Sequence, residues 1–157
     1  MAVKQKGTWL TGSEQRAWRA YLLSTQLVDE RLDRQLQRDS QMPHAYYAIL
    51  VGLSEAPDQT RRMSDLARTL RYSQSRLTHA ISSIERNGWV ERRECPTDRR
   101  GQLVTITAAG TAALAKAAPG HAAEVRAAVF DLLSAEQVDQ LHSICTTILD
   151  GFDGRDC

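Results

Sequence analysis

Between Ser73 and Arg86, Leu77, Ala80, Ile81 and Ile84 recur at helical spacing, and everything between them hydrogen-bonds. The resulting helix would bury one apolar face and turn outward Gln74, Ser75, Arg76, Thr78, His79, Ser82, Ser83 and Arg86. A solvated helix face more often carries Glu and Lys, whereas here Glu85 is the one acid. Arg, Gln, Ser and Thr are side chains that can donate to base edges in the DNA major groove, which admits a helix. Twelve residues on, Asp98, Arg99 and Arg100 sit in a Pro96–Gly101 segment flanked by strand-forming runs. Guanidinium groups on such a turn suit the narrow, electronegative minor groove, and a neighbouring carboxylate can orient one of them.

Other chemistry is poorly supplied. His44, His79, His121 and His142 have no partners at metal-ligand spacing, and neither a phosphate-cradling Gly-rich loop nor a G-x-S-x-G occurs, so no enzyme, metal or cofactor is expected. Cys95, Cys145 and Cys157 are odd in number and in no C-x-x-C arrangement, so they read as free thiols, Cys145 as part of the core. Cys95 beside the basic turn leaves a thiol redox sensor open as an alternative.

Charge agrees with a polyanion partner once its distribution is considered. The 157 residues carry a net charge of only +1, yet Arg61 to Arg100 holds ten arginines against five acids, a local +5 that leaves −4 for the rest. With 42% apolar and 25% charged residues the chain has a globular composition. It lacks an apolar run of membrane-spanning length, and its first residues lack a secretory apolar region, so a cytoplasmic location is expected.

The elements that must position these groups follow from periodicity and punctuation. Residues 13–38 read as one long helix striped by Trp18, Tyr21, Leu22, Val28, Leu32 and Leu36. Pro43 opens a second helix that ends near Ser54, and Glu55 to Thr60 reads as a loop. Ser64 is expected to N-cap a short helix through Leu70, and Ser73 to cap the polar-faced helix, which Asn87-Gly88 stops. Two helices joined by an Arg71-Tyr72 turn make a helix-turn-helix. Val90 to Cys95 and Gln102 to Thr107 read as a β-hairpin. Thr107 caps an alanine-rich helix that Pro119-Gly120 is expected to kink or interrupt, resuming by His121. Ser134 to Gln137 has the capping-box pattern ahead of a stripe of Val138, Leu141, Ile144, Ile148 and Phe152, and the tail from Asp153 should fray.

The order of these features is specific. Ser64-Asp65-Leu66-Ala67, the run Ile84 to Arg92, and Asp98-Arg99-Arg100-Gly101 leading to Leu103 through Gly110 together resemble the MarR family of bacterial winged helix-turn-helix regulators. The resemblance implies a mostly α fold with a small β-hairpin wing, a DNA-binding lobe over residues 43–107, and dimerisation helices at 13–38 and 121–152, with 153–157 a flexible tail. It makes 73–88 the recognition helix, Arg100 the minor-groove arginine and Asp98 its orienting partner, with Ser64, Ser73 and Arg86 against the DNA backbone. It further implies a sequence-specific regulator of double-stranded DNA, expected to repress, released by a small aromatic or phenolic effector in a crevice that Trp18, His44, Tyr46 and Tyr47 could line. Packing supports a homodimer independently, because the terminal stripes are too extensive for a small winged-helix core to cover and call for roughly 2,000 Å² of partner surface. A two-fold dimer fits a pseudopalindromic operator with half-sites about one helical turn apart. A winged helix that binds protein rather than DNA is the other alternative.

Overall fold

The computed structural model describes residues 9–96 and 98–153. Its elements run α1 Gly12–Ser40, α2 His44–Ser54, a 3-10 turn Pro57–Gln59, β1 Thr60–Arg62, α3 Met63–Thr69, α4 Gln74–Arg86, β2 Val90–Cys95, β3 Asp98–Ile106, α5 Ala108–Ala128, a 3-10 turn Phe130–Leu132 and α6 Ala135–Asp153. The fold is thus mostly helical with a small sheet. No helix among the described residues is long and apolar enough to cross a membrane.

Each long helix begins at a cap that its sequence provides. Thr11 and Glu14 form a reciprocal capping box at α1, and Ser73 Oγ accepts from the Arg76 N–H at α4. Ser134 and Gln137 exchange side-chain to backbone hydrogen bonds ahead of α6. Gly88, at φ +72°, takes the left-handed conformation that ends α4.

The three strands form an antiparallel sheet in the order β1-β3-β2. Thr60 pairs with Thr105 and Val90 with Ile106, and an irregularity falls between Glu94 and Cys95. β1 replaces the end of the expected loop. Its three residues are too few to show an alternating pattern, and they are held by pairing with β3 rather than by their own propensity. This pairing also corrects the expected cap of α3. The chain stays extended through Arg62, which occupies the cap position but makes no capping hydrogen bond from its side chain, so Ser64 falls within the first helical turn. β3 likewise begins at Asp98, which pairs with Cys95, rather than at Gln102, with residues 99–101 falling at the irregularity between that pair and Glu94–Gln102, so the wing turn is shorter than expected.

The core lies where α2, α3, α4 and the sheet meet. Leu36, Ile49, Leu50, Leu53, Leu66, Leu77, Ile81, Ile84 and Val104 have no accessible surface there. The expected break at Pro119-Gly120 does not occur, for α5 is continuous through Pro119. Proline removes one hydrogen bond, but α5 lies along α1, and Gly120 leaves room for the Gln35 amide. A Cβ at Gly120 would stand 3.0 Å from Gln35 Nε2. Tertiary packing here outweighs a local helix-breaking rule.

Among the described residues, the first half of α1 and most of α6 keep large apolar side chains exposed. Trp18, Tyr21, Leu22, Leu27, Ile144, Ile148 and Phe152 are each between 44% and 60% exposed.

Candidate nucleic-acid interface

α3 ends in a turn built by its own backbone. Tyr72 N–H donates to the Ala67 carbonyl at 2.9 Å and Arg71 adopts φ +53°, which swings the chain into α4. The four apolar residues of α4 are buried, and Gln74, Ser75, Arg76, Thr78, His79 and Arg86 are exposed, with Ser82 and Ser83 half-buried. The outward face expected from sequence is therefore the face the structure presents.

Several contacts fix this helix against the wing. Glu85, near the end of α4, accepts from the backbone N–H of Arg92 at 3.2 Å and from its guanidinium Nε at 2.9 Å. The Arg92 hydrogen bond holds the Glu85 carboxyl below the usual carboxylate range against the opposing effect of burial. Thr107 Oγ1 donates to the Gly88 carbonyl at 2.6 Å and accepts from the Gly110 N–H at 3.1 Å, so the start of α5 is tied to the end of α4.

Between α4 and the wing lies a polar cleft of about 390 Å³, lined by Arg62, Ser64, Gln74, Thr78, Asp98 and Gln102 among others. It brings together residues expected from three separate segments. Asp98 stands 3.5 Å from Arg62 Nη1, a partner that sequence reasoning missed because Arg62 lies 36 residues away. The side chains of Arg99 and Arg100, and the expected frayed tail beyond Asp153, lie outside the described residues. Arg86 Nη2 donates to Ser83 Oγ at 2.9 Å. Cys95 is buried at 6% exposure, which leaves an oxidant little access to its sulfur.

A second, apolar crevice of about 700 Å³ opens between α1 and the stretch from the end of α5 into α6. Tyr21, Val28, Leu32, Val129, Leu132 and Leu141 contribute to its walls, and Asp29, His44 and Cys145 also line it. Cys145, expected in the core, is only half-buried. Of Trp18, His44, Tyr46 and Tyr47, the residues expected near an effector, His44 is the one that lines this crevice. Trp18 stacks on Tyr21 at 6.0 Å, and Tyr46 and Tyr47 pack against the core. His44 Nδ1 donates to Asp29 Oδ1 at 2.9 Å. Behind it His121, missed as a neighbour, has its ring 4.2 Å from that of Tyr47 and 5.4 Å from that of His44. Burial first, and the nearby His44 second, lower its pKa. Among the described residues no group of three His, Cys, Asp or Glu could hold a metal.

This geometry matches known proteins over nearly its whole length. Sco3205, a MarR family transcriptional regulator of Streptomyces coelicolor solved in complex with DNA, is 44% identical, with a TM-score of 0.91 over 96% of this chain and 95% of that one. The chain belongs to the MarR family. The MarR family model matches residues 40–101, the stretch that runs from α2 through α4 and β2 into the start of β3. AbsC, a second MarR family regulator of Streptomyces coelicolor, is 38% identical with a TM-score of 0.87, covering 95% of this chain and all of the other. The HTH-type transcriptional repressor YetL of Bacillus subtilis (strain 168) is 29% identical over 93 residues, 59% of this chain. The match spans 55%, about half, of YetL's length.

Proposed function

We propose that this MarR family protein is a transcriptional regulator that binds double-stranded DNA in a sequence-specific manner and represses. The observation that carries the reading is α4, whose apolar face is locked into the core while its opposite face exposes Gln74, Ser75, Arg76, Thr78 and His79 beside the wing. A rigid helix of this composition can enter a major groove while the wing approaches the adjacent minor groove. The DNA complex of Sco3205 and the repressor name of YetL support the reading.

The working unit is a homodimer joined through α1 and α6, because their exposed apolar residues would be costly to leave in water. Two copies of α4 related by a two-fold axis then address a pseudopalindromic site in the cytoplasm. The apolar crevice beside His44 is the place for a small aromatic or phenolic effector, which would act by binding one spacing of the two recognition helices more tightly than another.

Fluorescence anisotropy with duplexes selected from a random library tests the reading. Affinity should fall steeply with salt, with a log-log slope near −0.9 per phosphate neutralised. A protein that ignores every duplex at low salt is a protein-binding winged helix instead.

A further inference from the structure

The guanidinium carbon of Arg76 lies 4.1 Å from the centroid of the Tyr72 ring. That ring is an anchored platform. It packs against the buried core, and the Tyr72 N–H is bound to the Ala67 carbonyl in the turn that closes α3. Arg76 is anchored as well, in the first turn of α4, where its own N–H donates to Ser73 Oγ at 3.2 Å.

Stacking on a ring uses the flat face of a guanidinium and leaves its hydrogen-bond donors, which radiate in the plane, unengaged. Among the described residues none accepts from the Arg76 side chain. Neighbouring arginines are held differently. Arg68 donates to Asp65 at 2.7 Å, Arg61 to Thr69 at 3.2 Å and Arg86 to Ser83 at 2.9 Å, so part of each fork is already engaged by a protein acceptor. The Arg76 guanidinium thus sits over the Tyr72 ring with no described residue accepting from its donor fork.

We propose that Tyr72 is a positioning residue that sets the plane of the Arg76 guanidinium, so that its fork recognises guanine through O6 and N7 rather than engaging a nearby phosphate. The proposal rests on the DNA-reading role of α4 argued above. A bidentate contact to guanine needs one plane and one approach direction, whereas a phosphate accepts a cation from many directions. Restraining the side chain in the free protein lowers the ordering cost of the planar contact alone.

The test uses the full chain and a duplex selected by the wild-type protein, with the base pair under Arg76 located by its loss of discrimination in Arg76→Ala. Affinities for that duplex and for its single-pair variant are then measured for Tyr72→Phe, Tyr72→Leu, Arg76→Lys and the Tyr72→Leu/Arg76→Ala double variant. Tyr72→Phe, which keeps the ring, should retain the discrimination ratio. Tyr72→Leu should reduce that ratio about two- to five-fold, the range an exposed cation–π contact provides, and should change nothing further when Arg76 is already alanine. Arg76→Lys, which keeps the charge without the planar fork, should lose discrimination while holding non-specific affinity; it decides the matter if Tyr72→Leu melts below the assay temperature. Equal weakening on both duplexes by Tyr72→Leu, independent effects in the double variant, or retained discrimination in Arg76→Lys would overturn the proposal. Failure of the wild-type chain to select any duplex would strike the DNA-binding reading instead.

Discussion

Arg92 of β2 clasps the Glu85 carboxylate of α4 from two directions, donating from its backbone at 3.2 Å to Oε1 and from Nη2 at 2.5 Å to Oε2. One residue thereby couples the end of α4 to the wing strand β2.

Glu85→Ala should lower stability by about 1 kcal/mol, a value held down by the partial exposure of both side chains, and should widen the range of wing orientations. Because Arg92 depresses the folded-state pKa of Glu85, its contribution is complete above the ordinary carboxylate pKa of about 4.3 and disappears as acid protonates the folded form below it. Urea unfolding across a pH series should separate wild type from Glu85→Gln at pH 7, with the difference shrinking progressively as pH falls below the ordinary carboxylate value. A constant difference would mean that Glu85 acts through packing.

His121 predicts the same direction of pH dependence from a different cause, burial rather than an ion pair. Burial keeps its folded-state pKa below the ordinary value of about 6.5, so the unfolded chain binds the extra proton first. Stability should fall as pH drops through 6.5 and level off once the folded form is also protonated. His121→Asn should flatten that part of the profile when urea midpoints are compared between pH 8 and pH 5. An unchanged profile would assign the pH dependence to another group.

Gly110 sits where no side chain fits. A Cβ there would lie 2.1 Å from the Trp89 carbonyl oxygen and 2.8 Å from Ile106 Cγ1. Gly110→Ala must push α5 away from the end of α4 and should cost about 2–3 kcal/mol, despite the better helix propensity of alanine. Thermal unfolding provides the measurement, and a neutral or stabilising result would contradict this packing.

The terminal helices make the fourth prediction. Leu22→Glu and Ile148→Glu alter side chains that are 46% and 44% exposed in the single chain, so neither should disturb its own fold. In sedimentation velocity the wild type should run as a dimer and the double variant as a monomer with markedly weaker operator binding. A double variant that still runs as a dimer would move the interface elsewhere.

Much of this arrangement is legible in the residues themselves. The burial of Leu77, Ala80, Ile81 and Ile84 follows from helical spacing, and Ser73, Thr107 and Ser134 act as the caps their positions suggest. What is not legible depends on neighbours distant in sequence. Thr60–Arg62 is a strand because β3 lies beside it, and Ser64 loses its capping role as a result. Pro119 stays helical where α5 runs along α1. Trp18 and Tyr46 resemble pocket aromatics by composition, yet the crevice is walled by Val129, Leu132 and Leu141, residues that read locally as ordinary apolar helix and linker.

The uninterrupted course of α5 would let it transmit a tilt from one end to the other. Its far end, Ala128, borders the crevice, its middle rests on Gln35 at Gly120, and its near end is tied through Thr107 to Gly88. With a rise of 1.5 Å per residue, a tilt of roughly 5° pivoting at Gly120 carries the Thr107 end by roughly 2 Å. A break at Pro119 would have absorbed that rocking. An unbroken rod would instead pass it to Gly88, where α4 closes.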